Sequence, residues 1–164
     1  MAYINPAPGS ANQITLTIDV MASIDDAIAF GGTAITVPAL QDITINASND
    51  VFSWEQLDSS AKKQVATTST NSVDMNVVVD PTIFFGTSVA AAISGTAQAQ
   101  GLNGMSRNKT PICFSLKVQE GAADYFYRGK GYITGLAPTI SASAPVWVSP
   151  VTITVDGEFT VATA

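Results

Sequence analysis

The sequence predicts a mainly-β domain of about seven strands around a single helix. Val, Ile and Thr, which fit a pleated and half-buried surface, number 47 of 164 residues. Several runs alternate apolar and polar residues with a period of two, the mark of a strand buried on one face. Only the stretch 81–94 carries helix start and stop signals together. At 17.0 kDa, residues 1–164 make one domain, long enough to bury a core without staples.

Residues 1–12, with two prolines, a glycine and small polar residues, read as an extended N-terminal arm. Ile14, Leu16, Ile18 and Val20 alternate with Thr15, Thr17 and Asp19, which predicts the first strand. A turn or brief helical segment over 23–29 closes at Gly31-Gly32, and extended stretches follow at 33–37 and 42–46 around Pro38. Residues 48–72 are the least regular part: Ser53-Trp54-Glu55-Gln56 fits a capping box, but no apolar stripe develops after it. This segment reads as a long loop or a hairpin with a helical turn. Val73, Met75, Val77 and Val79 restore a strand.

Asp80 can cap a helix that has Pro81 in its first turn and Gly95 at its end, with Gly86 as an interior defect costing about 1 kcal/mol relative to Ala. Residues 96–110 read as a second long loop. Three strand regions then follow Pro111: Ile112–Val118, Tyr125–Thr134, and Val151–Val161. The last is predicted to be a hairpin, with Asp156-Gly157 as its two-residue turn.

Composition excludes much chemistry. Thirteen acidic residues against seven basic ones give a net charge of -6, the wrong sign for gripping nucleic acid through its phosphates. There is no histidine, so Ser-His-Asp and Cys-His nucleophile systems and His-containing zinc sites are absent. The single cysteine, Cys113, lies in an apolar run and reads as a small buried hydrophobe. No apolar run approaches the ~18 residues of a membrane span. The sequence shows no secretion signal at its start, so a cytoplasmic origin is the expectation.

The short motifs reduce to structure. Gly86-Thr87-Ser88-Val89-Ala90 brushes against a nucleophile elbow, but no histidine exists to activate Ser88. Asp25-Asp26 lacks the ligand spacing of a calcium loop, and Asp156-Gly157-Glu158 is a turn before it is a metal site. Asn46-Ala47-Ser48 and Asn108-Lys109-Thr110 match glycosylation acceptors, a frequent chance match. Tyr125, Phe126, Tyr127 and Tyr132 suit strand packing better than base stacking beside so much negative charge. No cofactor, metal or catalytic set emerges, so the chain is not predicted to be an enzyme. Low charge, only 12% of residues, together with long polar excursions points to an assembly subunit, because Ser, Thr and Ala are buried at a contact more cheaply than Lys or Glu.

The segment VDMNVVVDPTIFFGTSVAAAISG, residues 73–95, resembles the strand, Asp-Pro break and short helix of the tail tube proteins of long-tailed bacteriophages. Residues 111–119, the GKGYITG stretch at 129–135 and the closing VTITVDGEFTVA resemble that family's C-terminal half. Asp58-Ser59-Ser60-Ala61-Lys62-Lys63 is similar to its polar turn before the second sheet. The likeness spans about residues 40–162 and lies in order and spacing; the length of 96–110 and Gly86 depart from it.

The resemblance implies a β-sandwich or half-barrel with one flanking helix, over about residues 81–94, and long loops, a fold shared with contractile tails and type VI secretion tubes. It implies a structural virion protein, assembled in the host cytoplasm into stacked hexameric rings that form the conduit for genome ejection. Its partners would be further copies of itself, the tape-measure protein, the tail terminator and distal tail or baseplate proteins, with DNA passing but not bound. Four strands from each of six copies would give a barrel about 37 Å across between backbones and roughly 27 Å between side chains. Six copies at -6 sum to -36 per ring, and such a lumen repels phosphate. Candidate lumen acids on or beside strands are Asp19, Asp42, Asp74, Glu120 and Glu158. Candidate ring-to-ring contacts in the excursions are Trp54, Lys62, Lys63, Thr67, Asn71, Arg107 and Lys109. The competing reading is a monomeric β-sandwich binding module of a virion, for carbohydrate or receptor, using Trp54 or Trp147 as its aromatic platform.

Overall fold

The structure, a computed structural model, describes residues 14–37, 40–57, 61–88, 95–120, 123–142 and 144–163. The strands are β1 (Ile14–Val20), β2 (Ile35–Val37), β3 (Leu40–Trp54), β4 (Lys63–Val78), β5 (Ile112–Glu120), β6 (Ala123–Leu136), β7 (Thr139–Ser141), β8 (Ala144–Val155) and β9 (Thr160–Thr163). The helices are α1 (Pro81–Phe85) and α2 (Ala97–Arg107). One antiparallel sheet runs in the order β2-β1-β5-β6-β8-β4-β3, with β7 beside β8 and β9 beside β6.

That order forces a curl. β2 and β3 lie at opposite edges of the sheet, yet Val37 and Leu40 are three residues apart in sequence. Three peptide steps reach at most about 11 Å, whereas six inter-strand gaps laid flat would need about 29 Å. The sheet therefore rolls towards closure, and Val37 and Val77 line one small cleft with Phe84 and Leu102. The mainly-β class that the sequence predicts is thus present, as one curled sheet, the half-barrel of the two alternatives that the resemblance implies.

Register sorts the side chains into an inside and an outside. Leu16 and Ile18 of β1 stand opposite Leu116 and Phe114 of β5, and Val73 and Met75 of β4 stand opposite Ile153 and Val151 of β8. All of these are buried in one core with Phe84, Leu102 and Met105 of the helices. Each such side chain contributes roughly 1.5–3 kcal/mol through burial. The alternate residues of β4 and β8, such as Ser72, Asp74 and Thr152, form a polar outer face, whereas Asp19, Cys113 and Ser115 on that side of β1 and β5 are buried.

Local chemistry sets several boundaries that differ from the sequence reading. α1 ends at Phe85, not at residue 94: Gly86 takes φ +76° and donates its N–H to the Thr82 carbonyl, capping the helix. Residues 89–94 lie outside the described residues, as does the N-terminal arm. At the other end Asp80 accepts from the N–H groups of Thr82 and Ile83, as its capping role predicts. The expected loop 96–110 holds α2, capped by Thr96 and kinked at Gly101, where φ is +62°. Its buried side includes Gln100, Gly101 and Gly104, so it shows no apolar stripe in sequence. Gln100 is satisfied inside by the Gly95 carbonyl, Asn108 and Thr110.

The two helices meet backbone to backbone. A Cβ on Gly86 or Gly101 would collide with the other helix's main chain. Thr87 and Ser88 donate their N–H groups to the Gln98 and Ala99 carbonyls across that contact.

The expected long loop 48–72 is instead the projecting part of the β3–β4 hairpin, and the capping-box residues Ser53 and Trp54 are strand residues. The expected β-hairpin at Asp156-Gly157 is also corrected. β9 pairs with β6, not with β8, and continues β8's course along β6, so residues 156–159 bulge from one interrupted strand. Asp156 keeps the ladder continuous by donating its N–H to the Lys130 carbonyl.

Gly101→Ala and Gly157→Ala separate two effects, because both positions have positive φ but only Gly101 faces a neighbouring backbone. Urea unfolding should show a loss of about 1 kcal/mol for Gly157→Ala and about 3 kcal/mol or more for Gly101→Ala. Equal losses would mean the helix contact is loose.

Candidate assembly surfaces

The largest exposed apolar feature is the outer end of the β3–β4 hairpin. Beyond the register pair Ala47–Asn71 both arms leave the sheet, and their residues lie in the open. Val51, Phe52 and Leu57 are 55%, 59% and 112% exposed, and Trp54 and Val65 are exposed with them. Phe52 and Trp54, two residues apart on one face, stack with ring centroids 5.9 Å apart. Their cross-strand partners are Val65 and Lys63. The Lys62–Glu55 ion pair at 3.6 Å is open to water and adds little. Exposed contiguous apolar groups on a small domain mark an interaction site.

The second surface is the polar outer face of four neighbouring strands, β6, β8, β4 and β3. Tyr132, Thr134, Thr152, Thr154, Ser72, Asp74, Asn76, Asp42, Thr44 and Asn46 belong to it by register. Asp74 is its hub: one carboxylate oxygen accepts from Thr152 Oγ1 at 2.6 Å, the other from Asn46 Nδ2 at 2.6 Å and Ser72 Oγ at 3.3 Å. Asp42 accepts from Asn76 Nδ2 with both oxygens, at 2.9 and 3.0 Å. The ion pairs shown among the described residues involve neither acid. The face thus presents negative charge held in fixed positions by neutral donors.

The other candidate residues scatter. Asp19 is 4% exposed and bound by its own chain, accepting the N–H groups of Val20 and Gly31. Asn71 is equally buried, where its side chain donates to the Gly157 carbonyl at 2.6 Å and anchors the 156–159 bulge. Glu158 is exposed on that bulge, and Glu120 ends β5 with its side chain outside the described set. Lys62, Lys63 and Thr67 share the hairpin with Trp54. Arg107 and Lys109 stand exposed at the end of α2, apart from the hairpin. Phe52, Val51, Leu57 and Val65 were missed in the sequence. Two aromatic residues spaced for one strand face inside a polar stretch were the available signal.

Cys113 is fully buried, and burial pushes its thiol up from the ordinary value. Its Sγ donates to the Ala29 carbonyl at 3.4 Å. No group of three or more potential metal ligands forms among the described residues, and no helix there is long and apolar enough to cross a membrane.

No protein-family model matches the chain, and no curated protein matches it in sequence. Solved structures do match. A chain from the tail of an empty gene transfer agent particle superimposes with a TM-score of 0.58 at 10% identity, over 90% of this chain and 95% of that one. The SPP1 tail tube protein gives 0.56 at 13% identity, over 91% and 77%. The anti-feeding prophage cap that terminates its tube gives 0.50 at 16% identity, over 100% and 95%. This chain has the tail-tube fold.

The tail-tube fold's polar face depends on Asp74 more than on Asp42. Asp74→Ala should cost about 1–3 kcal/mol in urea unfolding, because three donors lose their acceptor. Asp42→Ala, with one donor at an exposed site, should cost under about 1 kcal/mol; similar losses for both would deny the hub role. A thiol reagent should label Cys113 only as the protein unfolds.

Proposed function

We propose that the chain is a structural subunit of a virion tail that polymerises with its own copies into the tail tube. The observation that carries this reading is the exposed apolar hairpin on a tail-tube fold. Val51, Phe52, Trp54, Leu57 and Val65 gain the most by leaving water, and a further copy of the same chain is the partner always present.

In this reading six copies close a ring and rings stack, consistent with the C6 symmetry given for the gene transfer agent tail. The β6-β8-β4-β3 face lines the lumen, supplying four strands per copy. Asp42 and Asp74 then face the passing DNA and repel its phosphates, while Thr and Asn side chains keep the wall wet, with Lys130 of β6 on the same face by register. The tape-measure protein would occupy that lumen during assembly, and terminator and baseplate proteins would meet the tube's two ends. The stacked Phe52–Trp54 pair also suits the competing reading, a monomeric module that binds sugar on an aromatic platform. Self-assembly separates the two.

Electron microscopy of concentrated protein should show tubes or rings, and a strictly monomeric protein at high concentration would overturn the proposal. Phe52→Ser with Trp54→Ser should abolish polymerisation while leaving the thermal midpoint within a few degrees, because both side chains are exposed. Asp42→Lys should slow DNA ejection from assembled particles at unchanged tail length. Normal ejection would remove Asp42 from the lumen.

A further inference from the structure

The chain places a glycine directly after an asparagine or aspartate twice, at Asn103-Gly104 and at Asp156-Gly157. Such pairs are chemically labile, because a glycine has no side chain to keep its nitrogen from the Cγ of the residue before it. In an unfolded chain the asparagine pair reacts first. Ammonia leaves a neutral carboxamide directly, whereas a carboxylate must first take up a proton.

The fold reverses that order. Asn103 and Gly104 lie in α2, where Gly104 is buried and its carbonyl accepts the Asn108 N–H. Closing a ring there means turning a helical peptide plane and breaking hydrogen bonds of the turn. Asp156 and Gly157 are instead both exposed, in the bulge between β8 and β9. Val155 stands opposite Gly131 and Thr160 opposite Arg128, so residues 156–159 cross a stretch that β6 crosses with Gly129 and Lys130 alone. Gly157 takes φ +82°, and a Cβ built on it would meet nothing within 4 Å. The bulge is pinned by the Asp156 N–H on the Lys130 carbonyl and by Asn71 Nδ2 on the Gly157 carbonyl. Neither contact engages the reacting groups, the Asp156 carboxyl and the Gly157 N–H.

We infer that Asp156 is a site of spontaneous backbone isomerisation in the folded protein, and that α2 protects Asn103 from the same chemistry. The Gly157 nitrogen bonds to Asp156 Cγ, and its proton leaves with the carboxyl OH as water, closing a succinimide. Water then adds at the Asp156 main-chain carbonyl carbon, and the bond from that carbon to the Gly157 nitrogen breaks. The chain now runs through Cβ and Cγ and carries a free α-carboxylate. This isoaspartyl residue is the substrate class of carboxyl methyltransferases that use S-adenosylmethionine.

The consequence falls on β9. The added main-chain carbon lies between the last pair of β8 and the first pair of β9, and it moves the Gly157 carbonyl off Asn71. Phe159, whose ring meets Phe114 edge-on at 6.2 Å, shifts with it. β9 has four residues and pairs with β6, so isomerisation loosens it from Tyr125–Arg128 while the strands on the far side of β6 keep their register.

The test holds purified full chain for weeks at neutral pH and maps its peptides with fragmentation that separates isoaspartate from aspartate. Isoaspartate at 156 should accumulate about ten-fold or more faster than deamidation at 103, and in urea Asn103 should lead instead. Folded protein in which Asn103 leads, or in which 156 stays intact while the urea-unfolded chain converts there, overturns the inference. Asp156→Glu, an exposed substitution whose larger ring closes slowly, should remove most methyl transfer from S-adenosylmethionine by an isoaspartyl methyltransferase. Undiminished transfer to that variant puts the site elsewhere. Amide hydrogen exchange in aged protein should quicken roughly ten-fold at Thr160–Thr163 and stay unchanged at Ile14–Val20. Equal protection of β9 before and after ageing overturns the loosening.

Discussion

The connection between Val37 and Leu40 is the constraint on which the rest of the structure depends. Three peptide steps join the two outermost strands of a sheet that would be about 29 Å wide if flat, so the sheet cannot stay open. Once it curls, the inner face must be apolar and the outer face must meet water or another copy. Leu16, Phe114, Met75 and Ile153 therefore share one interior although their strands are scattered along the chain. The helices complete that interior. Their contact is held so close by Gly86 and Gly101 that main-chain hydrogen bonds, joined by Thr87 Oγ1 on the Gln98 carbonyl, form the joint.

Closure also explains what stays outside. The curled sheet has room for only part of β3 and β4, and the rest of that hairpin projects with both of its faces in solvent. A strand buried on neither face has no reason to alternate, which is why residues 48–72 carry no period-two pattern. The polar segments within the sheet have another logic. Asp19 is buried on the outer face because the chain folds back over it at Gly31, while Asn71, on the inner face in line with Val73 and Met75, is covered at Gly157. They hold local excursions in place and are no longer free surface groups.

Legibility follows the same physics. Strands with one buried face, such as Ile14–Val20 and Ile112–Val118, were readable because alternation is the direct record of one-sided burial. α1's start was readable from Asp80-Pro81, but its end was not, since Gly86 looks like a weak helix residue until its positive φ is seen. α2 escaped because Gln100, Gly101 and Gly104 share its buried side with Ala97, Leu102 and Met105 and break any hydrophobic pattern there. Asp156-Gly157 reads as a hairpin turn because local sequence records the bend and not the partner. The partner is β6, set by long-range register. Among the candidate surfaces, the sequence marks Asp42 and Asp74 only as two of five acids on or beside strands, while Phe52 and Val65 need the hairpin's projection to become visible.

The low charge of the chain finally has a spatial meaning. Only 12% of residues are charged, and the net charge of -6 gives separate copies a mutual repulsion that long-range electrostatics can express in solution. That repulsion acts over about a Debye length, whereas the apolar hairpin acts only at contact. In the proposed tube, a subunit built this way would stay apart from its copies until alignment brings the apolar hairpin into contact, where burial outweighs a field already weakened by salt. Under that proposal the acid excess and the exposed hydrophobic hairpin act as two halves of one control: the first would set how rarely copies meet, and the second how long they stay.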